Sequence, residues 1–175
     1  MARYSLDEFV ADARNLMAST PDAKAFLNKG HDLLERFVSD PNNVGATIEQ
    51  LVEKRNHALY VENPEGDGLA VQVVVWKPGA RTDAHDHHTW GMIGILANKV
   101  DEVRFRKVDQ PHEGVVKLEQ DRQVTSRPGE VSLLVPGEDE IHIVSNPSDT
   151  PTVEIHVYGH DLVGLERCRY NLETG

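Results

Sequence analysis

The sequence predicts a mainly β protein, closed into a sandwich or barrel, with an α-helical extension at its N-terminus. Over about the first 55 residues, apolar side chains recur at helical spacing, and from about residue 57 they follow the alternation typical of β-strands. Roughly eight or nine short strands with regular turns favour a closed architecture, which protects strand edges and leaves a lumen for a small ligand. We interpret residues 1–175 as one domain, with a helical extension (1–55), a β-barrel (56–160) and a C-terminal tail (161–175).

Three helices are predicted in the extension. The first begins at a capping box at residues 5–8, in which a serine and a glutamate stand three positions apart. The second is expected to begin with Thr20 as its cap and Pro21 at its first helical position, and to end before residues 40–43. A shorter helix runs through Ile48, Leu51 and Val52. None of these helices gathers groups with chemical function, so we interpret them as scaffold packed on the barrel.

The predicted strands are separated by turns rich in proline and glycine. The strands are 57–62, 69–76, 84–89, 92–97, 100–108, 115–125, 131–135, 141–145 and 153–158, and the turns are 64–68, 78–79, 127–129, 136–137 and 146–148.

Composition excludes several classes of partner. The net charge of −11 argues against nucleic-acid binding, which needs clustered basic residues, because the 18 lysines and arginines are dispersed among 29 acidic residues. A single cysteine cannot form an intrachain disulfide, and no apolar run approaches the length of a membrane span. The start of the sequence also lacks the apolar stretch of a signal peptide. We expect a cytoplasmic protein with no nucleic-acid or membrane partner and a small-molecule ligand; homo-oligomerisation is left open.

A pair of histidines offers half of a metal site. His85 and His87 follow an apolar run at 71–76 and a turn at 77–81. On a β-strand their side chains would lie on one face, about 6–7 Å apart, while Asp86 and His88 would point to the other face. Imidazoles at this spacing are suited to binding a transition metal.

Two residues compete to complete this site. His142 and His156 are each flanked by apolar residues that would lie on the opposite face of a strand. Each therefore looks like a polar side chain that points into a polar lumen, and strand alternation alone does not choose between them.

The predicted barrel region resembles the cupin superfamily. The sequence resembles the first cupin motif at Gly79, His85, His87, Gly91 and Asn98. It resembles the second motif, with stretched spacing, at Gly129, Pro136, Gly137, His142 and Asn146. Gly91 and Asn98 stand where the first motif carries Glu and Gly. The resemblance covers roughly residues 57–160 and implies a double-stranded β-helix (jelly-roll) barrel with His142 as the third metal ligand.

Among cupins, the chain resembles the thiol dioxygenases, and the runs 90–94 and 159–162 resemble their bacterial 3-mercaptopropionate branch. With Gly91 in place of a ligating Glu, the resemblance implies three neutral ligands, His85, His87 and His142, around Fe(II). Three neutral ligands would leave the cation its full charge, which favours binding of a thiol as thiolate and leaves positions open for O2.

A late strand of these enzymes carries Ser-x-His-x-Tyr, and here the strand carries Glu154, His156 and Tyr158. His156 and Tyr158 match, and the resemblance makes them the catalytic pair: Tyr158 would donate a hydrogen bond towards the reacting oxygen while His156 orients the phenol. Glu154 departs from the family serine. The alternative is that His156 and Tyr158 are a hydrogen-bonded pair in the core.

Two residues are candidates for substrate binding. Glu62 aligns with the position at which mammalian-type cysteine dioxygenases carry Arg and the 3-mercaptopropionate type carries Gln. Arg167, nine residues after Tyr158, matches the Arg that the latter type uses for the substrate carboxylate, with Arg169 as the fallback. Arg167 would clamp a carboxylate, while Glu62 either supports it or receives a substrate amino group. The alternative is that both arginines are surface charges in a mobile tail.

We therefore expect a non-haem Fe(II) thiol dioxygenase that oxidises a small carboxylated thiol with O2 to the sulfinate, with 3-mercaptopropionate ahead of cysteine and cysteamine third. The alternatives are another metal-dependent cupin enzyme (a lyase, isomerase or C–C-cleaving dioxygenase) and a non-catalytic cupin that binds a small molecule.

Overall fold

The computed structural model describes residues 3–63, 67–108, 116–138 and 140–172. Its N-terminal extension contains α1 (Leu6–Ser19), α2 (Ala23–Val38), a short 3-10 helix (Pro41–Val44) and α3 (Ile48–Lys54). The predicted capping box begins α1: the Ser5 hydroxyl accepts from the Glu8 amide, and the Glu8 carboxylate accepts from the Ser5 amide. The prediction for the start of α2 was wrong. Its cap is Asp22, whose carboxylate accepts from the Ala25 amide at 2.8 Å, so Pro21 precedes the cap.

Ten strands follow. They are β1 (His57–Val61), β2 (Asp67–Trp76), β3 (Ala84–His85), β4 (Gly91–Ala97), β5 (Val100–Lys107), β6 (Leu118–Ser126), β7 (Val131–Leu134), β8 (Ile141–Ser145), β9 (Thr152–His160) and β10 (Arg169–Tyr170). They form two five-stranded antiparallel sheets with the orders β1-β2-β9-β4-β7 and β10-β3-β8-β5-β6. This architecture is the mainly β cupin jelly-roll that the resemblance implied, with helices added at the N-terminus.

Each predicted strand overlaps an observed one, but two differences affect the site. The strand predicted over 84–89 covers only Ala84–His85, because the chain turns away at His88, whose φ of 51° is incompatible with a strand. The predicted tail contains β10, which pairs with β3 and brings Arg169 opposite His85. Val115, at the start of the strand predicted over 115–125, and residues 64–66 of a predicted turn lie outside the described residues.

The sheet that contains β9 divides the core into two layers. On one face, alternate side chains of β2, β4 and β9 join a large apolar cluster with the helices. Gly94 permits this packing, since a Cβ there would lie 2.6 Å from a Val38 methyl group on α2. The opposite face looks into the lumen, where β4, β5, β7, β8 and β9 contribute a smaller apolar cluster beside the polar site. No helix in the described part of the chain is both long and apolar enough to cross a membrane.

Candidate active site

Three histidines from the second sheet and its adjoining loop converge in the lumen. His85 ends β3 and is paired in register with His142 on β8, and His87 lies two residues beyond His85. Each residue offers one ring nitrogen, and these three atoms lie within 4.8 Å of one another. The Nε2 atoms of His87 and His142 are 3.1 Å apart. The structure therefore brings together the two histidines of the first motif and His142 of the second.

Burial disfavours the charged form of two of these histidines. It lowers the pKa of His85 to about 4, and the electrostatic interaction with His142 acts in the same direction. The pKa of His87 falls far below its usual range for the same two reasons, and Arg167 makes a smaller contribution at both residues. Neutral imidazoles have the lone pairs that a transition metal needs, so the donor chemistry of the cluster fits a divalent cation.

Hydrogen bonds fix which nitrogen of two of these rings is available. A carbonyl or ionised carboxylate can only accept, so the His85 Nδ1–H donates to the Asp83 carbonyl at 3.0 Å and the His142 Nδ1–H donates to Glu102 at 2.5 Å. In both rings Nε2 is therefore the nitrogen that can face a metal. Among the described residues, the buried Nδ1 of His87 has no hydrogen-bond partner.

Glu102 is the centre of a buried polar network that the sequence analysis missed. It accepts from His142, from the Arg104 guanidinium at 3.0–3.1 Å and from the Ser132 hydroxyl at 2.9 Å. Arg104 also donates to the Leu133 carbonyl at 2.6 Å. Burial opposes ionisation of Glu102, but the hydrogen bond and charge of His142 and the charge of Arg104 outweigh it and lower the pKa of Glu102 to about 2. Glu102 is thus an anion that orients His142.

The second candidate group forms a chain of hydrogen bonds along β9. The His156 Nδ1 and the Tyr158 hydroxyl are 2.8 Å apart, and the His156 Nε2 lies 2.6 Å from a Glu154 oxygen that also accepts from the Trp76 indole N–H at 2.6 Å. His156 is therefore a partner of Glu154 and Tyr158, whereas His142 lies with the other two histidines. Burial, followed by the charge of Glu154, raises the pKa of Tyr158, so its phenol stays protonated.

Tyr158 lies beside the histidine cluster. Its ring centroid is 5.1 Å from that of His87, and it faces Gly91 across the β4–β9 pair. A Cβ at Gly91 would lie 2.9 Å from the Tyr158 ring and 3.1 Å from Leu134. The position at which the cupin motif carries Glu therefore has no room for a side chain while Tyr158 occupies its place.

The structure does not bring Glu62 to this site. The register of β1 shifts between Ala58 and Tyr60, and the Glu62 amide bonds to the carbonyl of Leu69, which faces the helices. The Glu62 carboxylate pairs with Arg14 of α1. A charge committed to the helical side of the sheet is not available to a substrate in the lumen, so we correct the expectation that Glu62 binds substrate.

Arg167, in contrast, lies at the mouth of the site. It lines an open cleft of about 720 Å³ together with His85, Trp76, Arg81 and Arg169. No hydrogen-bond or ion-pair partner is found for Arg167 among residues that the structure describes, whereas Arg169 lies 3.9 Å from Asp83. Arg81 was not predicted as a site residue, because a single arginine after a turn belongs to no recognisable sequence pattern.

The chain is similar to a known protein family and to several solved structures. The family model for cysteine dioxygenase type I matches residues 9–169. Among solved structures, a cupin 2 conserved barrel domain protein from Salinispora arenicola is 21% identical over 59% of this chain and 73% of its own, with a TM-score of 0.41. Oxalate decarboxylase from Bacillus subtilis is 22% identical over 59% of this chain, with a TM-score of 0.42, and this chain covers 24% of it. An oxalate oxidase in complex with glycolate is 15% identical over 54% of this chain and 43% of its own, with a TM-score of 0.41.

Proposed function

Because the chain belongs to the cysteine dioxygenase type I family, we propose that it is an Fe(II)-dependent thiol dioxygenase that oxidises a small carboxylated thiol with O2 to the sulfinate. One observation carries the proposal. Three imidazoles, which bind a metal as neutral ligands, converge in the lumen, and the place of a fourth, anionic ligand is closed by the contact between Gly91 and Tyr158. A carboxylate ligand would compete electrostatically with a thiolate, so this ligand set favours binding of a thiol.

His85, His87 and His142 are the residues that would hold the metal, and Glu102 would keep the His142 ring in place. When bound there, Fe(II) would lower the pKa of the thiol and supply the redox chemistry with O2. In the overall reaction both oxygen atoms of O2 end on sulfur, sulfur loses the electrons that O2 gains, and the thiol proton leaves. The protein must therefore orient the thiol, accept a proton and exclude competing reactions.

Tyr158, His156 and Glu154 form the group that can hold and move this proton. With a carboxylate at Nε2, the neutral His156 ring carries its proton there and its Nδ1 accepts from the Tyr158 hydroxyl. If His156 takes up a second proton, Nδ1–H donates to the phenol oxygen instead, and the hydroxyl proton is free to point towards the reacting atoms. Glu154 stabilises this imidazolium as a serine could not, which is the consequence of the departure from the family pattern.

Arg167 is the group that we propose for the substrate carboxylate. It lines the cleft beside His85, its guanidinium has no internal partner among the described residues, and a guanidinium binds a carboxylate through two parallel hydrogen bonds. The Glu62 carboxylate is engaged by Arg14 and does not oppose this interaction. We therefore favour 3-mercaptopropionate, with cysteine second, in a reducing, cytoplasmic setting that suits a free thiol.

The test is oxygen consumption by the chain loaded anaerobically with Fe(II), with 3-mercaptopropionate, cysteine and cysteamine as substrates. We expect thiol-dependent O2 uptake and a sulfinate that carries two labelled atoms when the reaction is run in ¹⁸O2. Oxygen uptake without a thiol would favour another metal-dependent cupin enzyme. Thiol binding without turnover would favour a binding protein, and either result would overturn the proposal.

A further inference from the structure

A second group of metal-binding side chains lies on the outer side of β3. His85 belongs to the histidine cluster, whereas Asp86 and His88 contact each other and Cys168 of the C-terminal tail. One ligand atom from each of the three residues lies within 4.8 Å of the others. The His88 Nε2 is 3.1 Å from the Asp86 Oδ2 and 3.7 Å from the Cys168 Sγ.

We propose that Asp86, His88 and Cys168 form a second metal site, separate from the histidine cluster and specific for a thiophilic divalent cation such as Zn²⁺. Ordinary Zn–S, Zn–N and Zn–O bond lengths in a tetrahedron require separations of about 3.6 Å between sulfur and nitrogen and about 3.4 Å between nitrogen and oxygen. The observed 3.7 and 3.1 Å lie close to these values, so a cation needs only small side-chain adjustments.

Neighbouring residues hold Asp86 in place, while His88 and Cys168 remain accessible to a cation. The Asp86 side chain is fully buried, and its carboxylate is held by the Cys168 amide at 2.9 Å and the Tyr170 hydroxyl at 2.6 Å. The Cys168 amide bonds to Oδ1 and the Tyr170 hydroxyl bonds to Oδ2, so Oδ2 keeps one lone pair for a cation. His88 and Cys168 are exposed, which gives access from solvent and leaves the fourth position to water. The neutral imidazole, thiolate and carboxylate are together a donor set that zinc prefers.

A cation at this site would join the tail to the barrel. The tail is held at present by the pairing of β10 with β3 and by the hydrogen bond from the Asp86 amide to the Cys168 carbonyl at 3.2 Å. Binding through His88 and Cys168 would add a link between the loop after β3 and the residue next to Arg167. Arg167 lines the cleft beside His85, so the cation would restrict the tail at the edge of that cleft.

The experiment is a Co²⁺ titration of the metal-free full-length chain in a thiol-free reductant. Cys168 is the one cysteine of the sequence, so a thiolate-to-cobalt charge-transfer band reports this site and not the histidine cluster. Because the histidine cluster also binds Co²⁺, we expect the band to saturate only after both sites are filled, with an intensity of one thiolate-bound cobalt per chain. It should be displaced by Zn²⁺ and be absent in Cys168→Ser. His88→Ala should weaken the cobalt affinity measured from the band by at least about 10-fold. His31→Ala, which removes an exposed histidine beside Asp32 on α2, should leave it unchanged.

Hydrogen exchange gives a second readout. We expect Zn²⁺ to slow exchange at residues 168–170 in the wild-type chain but not in His88→Ala. The proposal is overturned if the wild-type chain gives no band, if His88→Ala keeps the wild-type affinity, or if the band appears only at concentrations at which two chains share the metal. Neither readout involves thiol oxidation, so the result is independent of the proposed function.

Discussion

Gly91 lies directly opposite Tyr158 on β4 and β9, and a Cβ at Gly91 would lie 2.9 Å from the phenol ring. The two residues therefore depend on each other: a tyrosine in this position excludes any side chain on the opposite strand, including the Glu of the cupin motif. The lack of a carboxylate at position 91 and the presence of the Tyr158 phenol beside the histidines thus have the same structural cause. This relationship can be tested by restoring a side chain at position 91.

Gly91→Ala is expected to displace the Tyr158 ring while leaving the three histidines in place. Turnover should fall about 10- to 100-fold, because small misplacements of catalytic groups have effects of this size, whereas bound iron should stay near one equivalent. The measurement is a double-mutant cycle with Tyr158→Phe, which alone should keep iron and lower turnover. If the two losses are coupled, the double variant is little worse than Tyr158→Phe. Fully additive losses, or loss of iron from Gly91→Ala, would contradict this explanation.

Two buried glutamates accept hydrogen bonds from histidines and should give different phenotypes. Glu154→Gln removes the charge next to His156, so we expect kcat to fall about 10-fold or more with little change in KM or iron content. Glu102→Gln acts on His142, and we expect iron affinity to fall about 10- to 100-fold. Each variant is the control for the other, since both replace a buried carboxylate by an amide of similar size. The same phenotype in both would mean that the two carboxylates serve only stability.

Strand alternation predicted part of the site and could not predict the rest. It placed His85 and His87 on one face and Asp86 and His88 on the other, as observed, although the strand itself covers only two residues. It could not choose between His142 and His156, because both point into the lumen. The choice depends on which sheet each strand joins: β8 lies beside β3, whereas β9 lies in the opposite sheet.

Two other features of the site depend on information that is absent from local sequence. The alternation of charged residues in β5 looks like a solvent-facing strand, and the burial of Glu102 and Arg104 depends on partners 30 to 40 positions away. Glu62 was chosen by alignment with thiol dioxygenases, which does not show the register shift in β1; one extra residue there moves every later side chain to the other face of the sheet. The resemblance to thiol dioxygenases supplied the third histidine but not these details.

The two candidates for the third metal ligand can be separated by metal analysis. His142→Ala should lose most of its bound iron and activity, as should His85→Ala and His87→Ala, because a site with two protein ligands retains a labile divalent ion poorly. His156→Ala should keep near-stoichiometric iron and lose turnover. The assignment would be wrong if His142→Ala stayed loaded while His156→Ala was empty.

The histidine cluster should make the metal-free protein sensitive to moderate acid. Burial lowers the pKa of His85 to about 4 in the folded chain, whereas an unfolded histidine titrates near 6.5. Between these two pKa values the unfolded state binds a proton that the folded state excludes. The free energy of unfolding is therefore highest above about pH 6.5 and declines as the pH falls towards 4.

Urea unfolding of the metal-free chain between pH 7.5 and 4.5 should show this decline. His85 should contribute up to about 1.4 kcal/mol to the free energy of unfolding per pH unit, and His87 acts in the same direction. His85→Asn should have a shallower slope, while His31→Asn, a change at a surface position, should keep the wild-type slope. Identical slopes in wild type and His85→Asn would show that His85 is not held neutral.

The proposed contact between Arg167 and the substrate carboxylate can be tested by a comparison of two thiols. Arg167→Ala should raise KM for 3-mercaptopropionate about 10- to 100-fold, the loss expected for a charge-assisted pair of hydrogen bonds, and change KM for cysteamine by less than about threefold. Arg169→Ala is the matched control, since that arginine lines the same cleft but lies 3.9 Å from Asp83. Its effect should be the same on both thiols. If Arg167→Ala affected both thiols equally, the guanidinium would act through the general charge of the cleft, and the assignment to the carboxylate would fail. If Arg169→Ala alone discriminated between them, the clamp would lie on β10, where the chain pairs with His85.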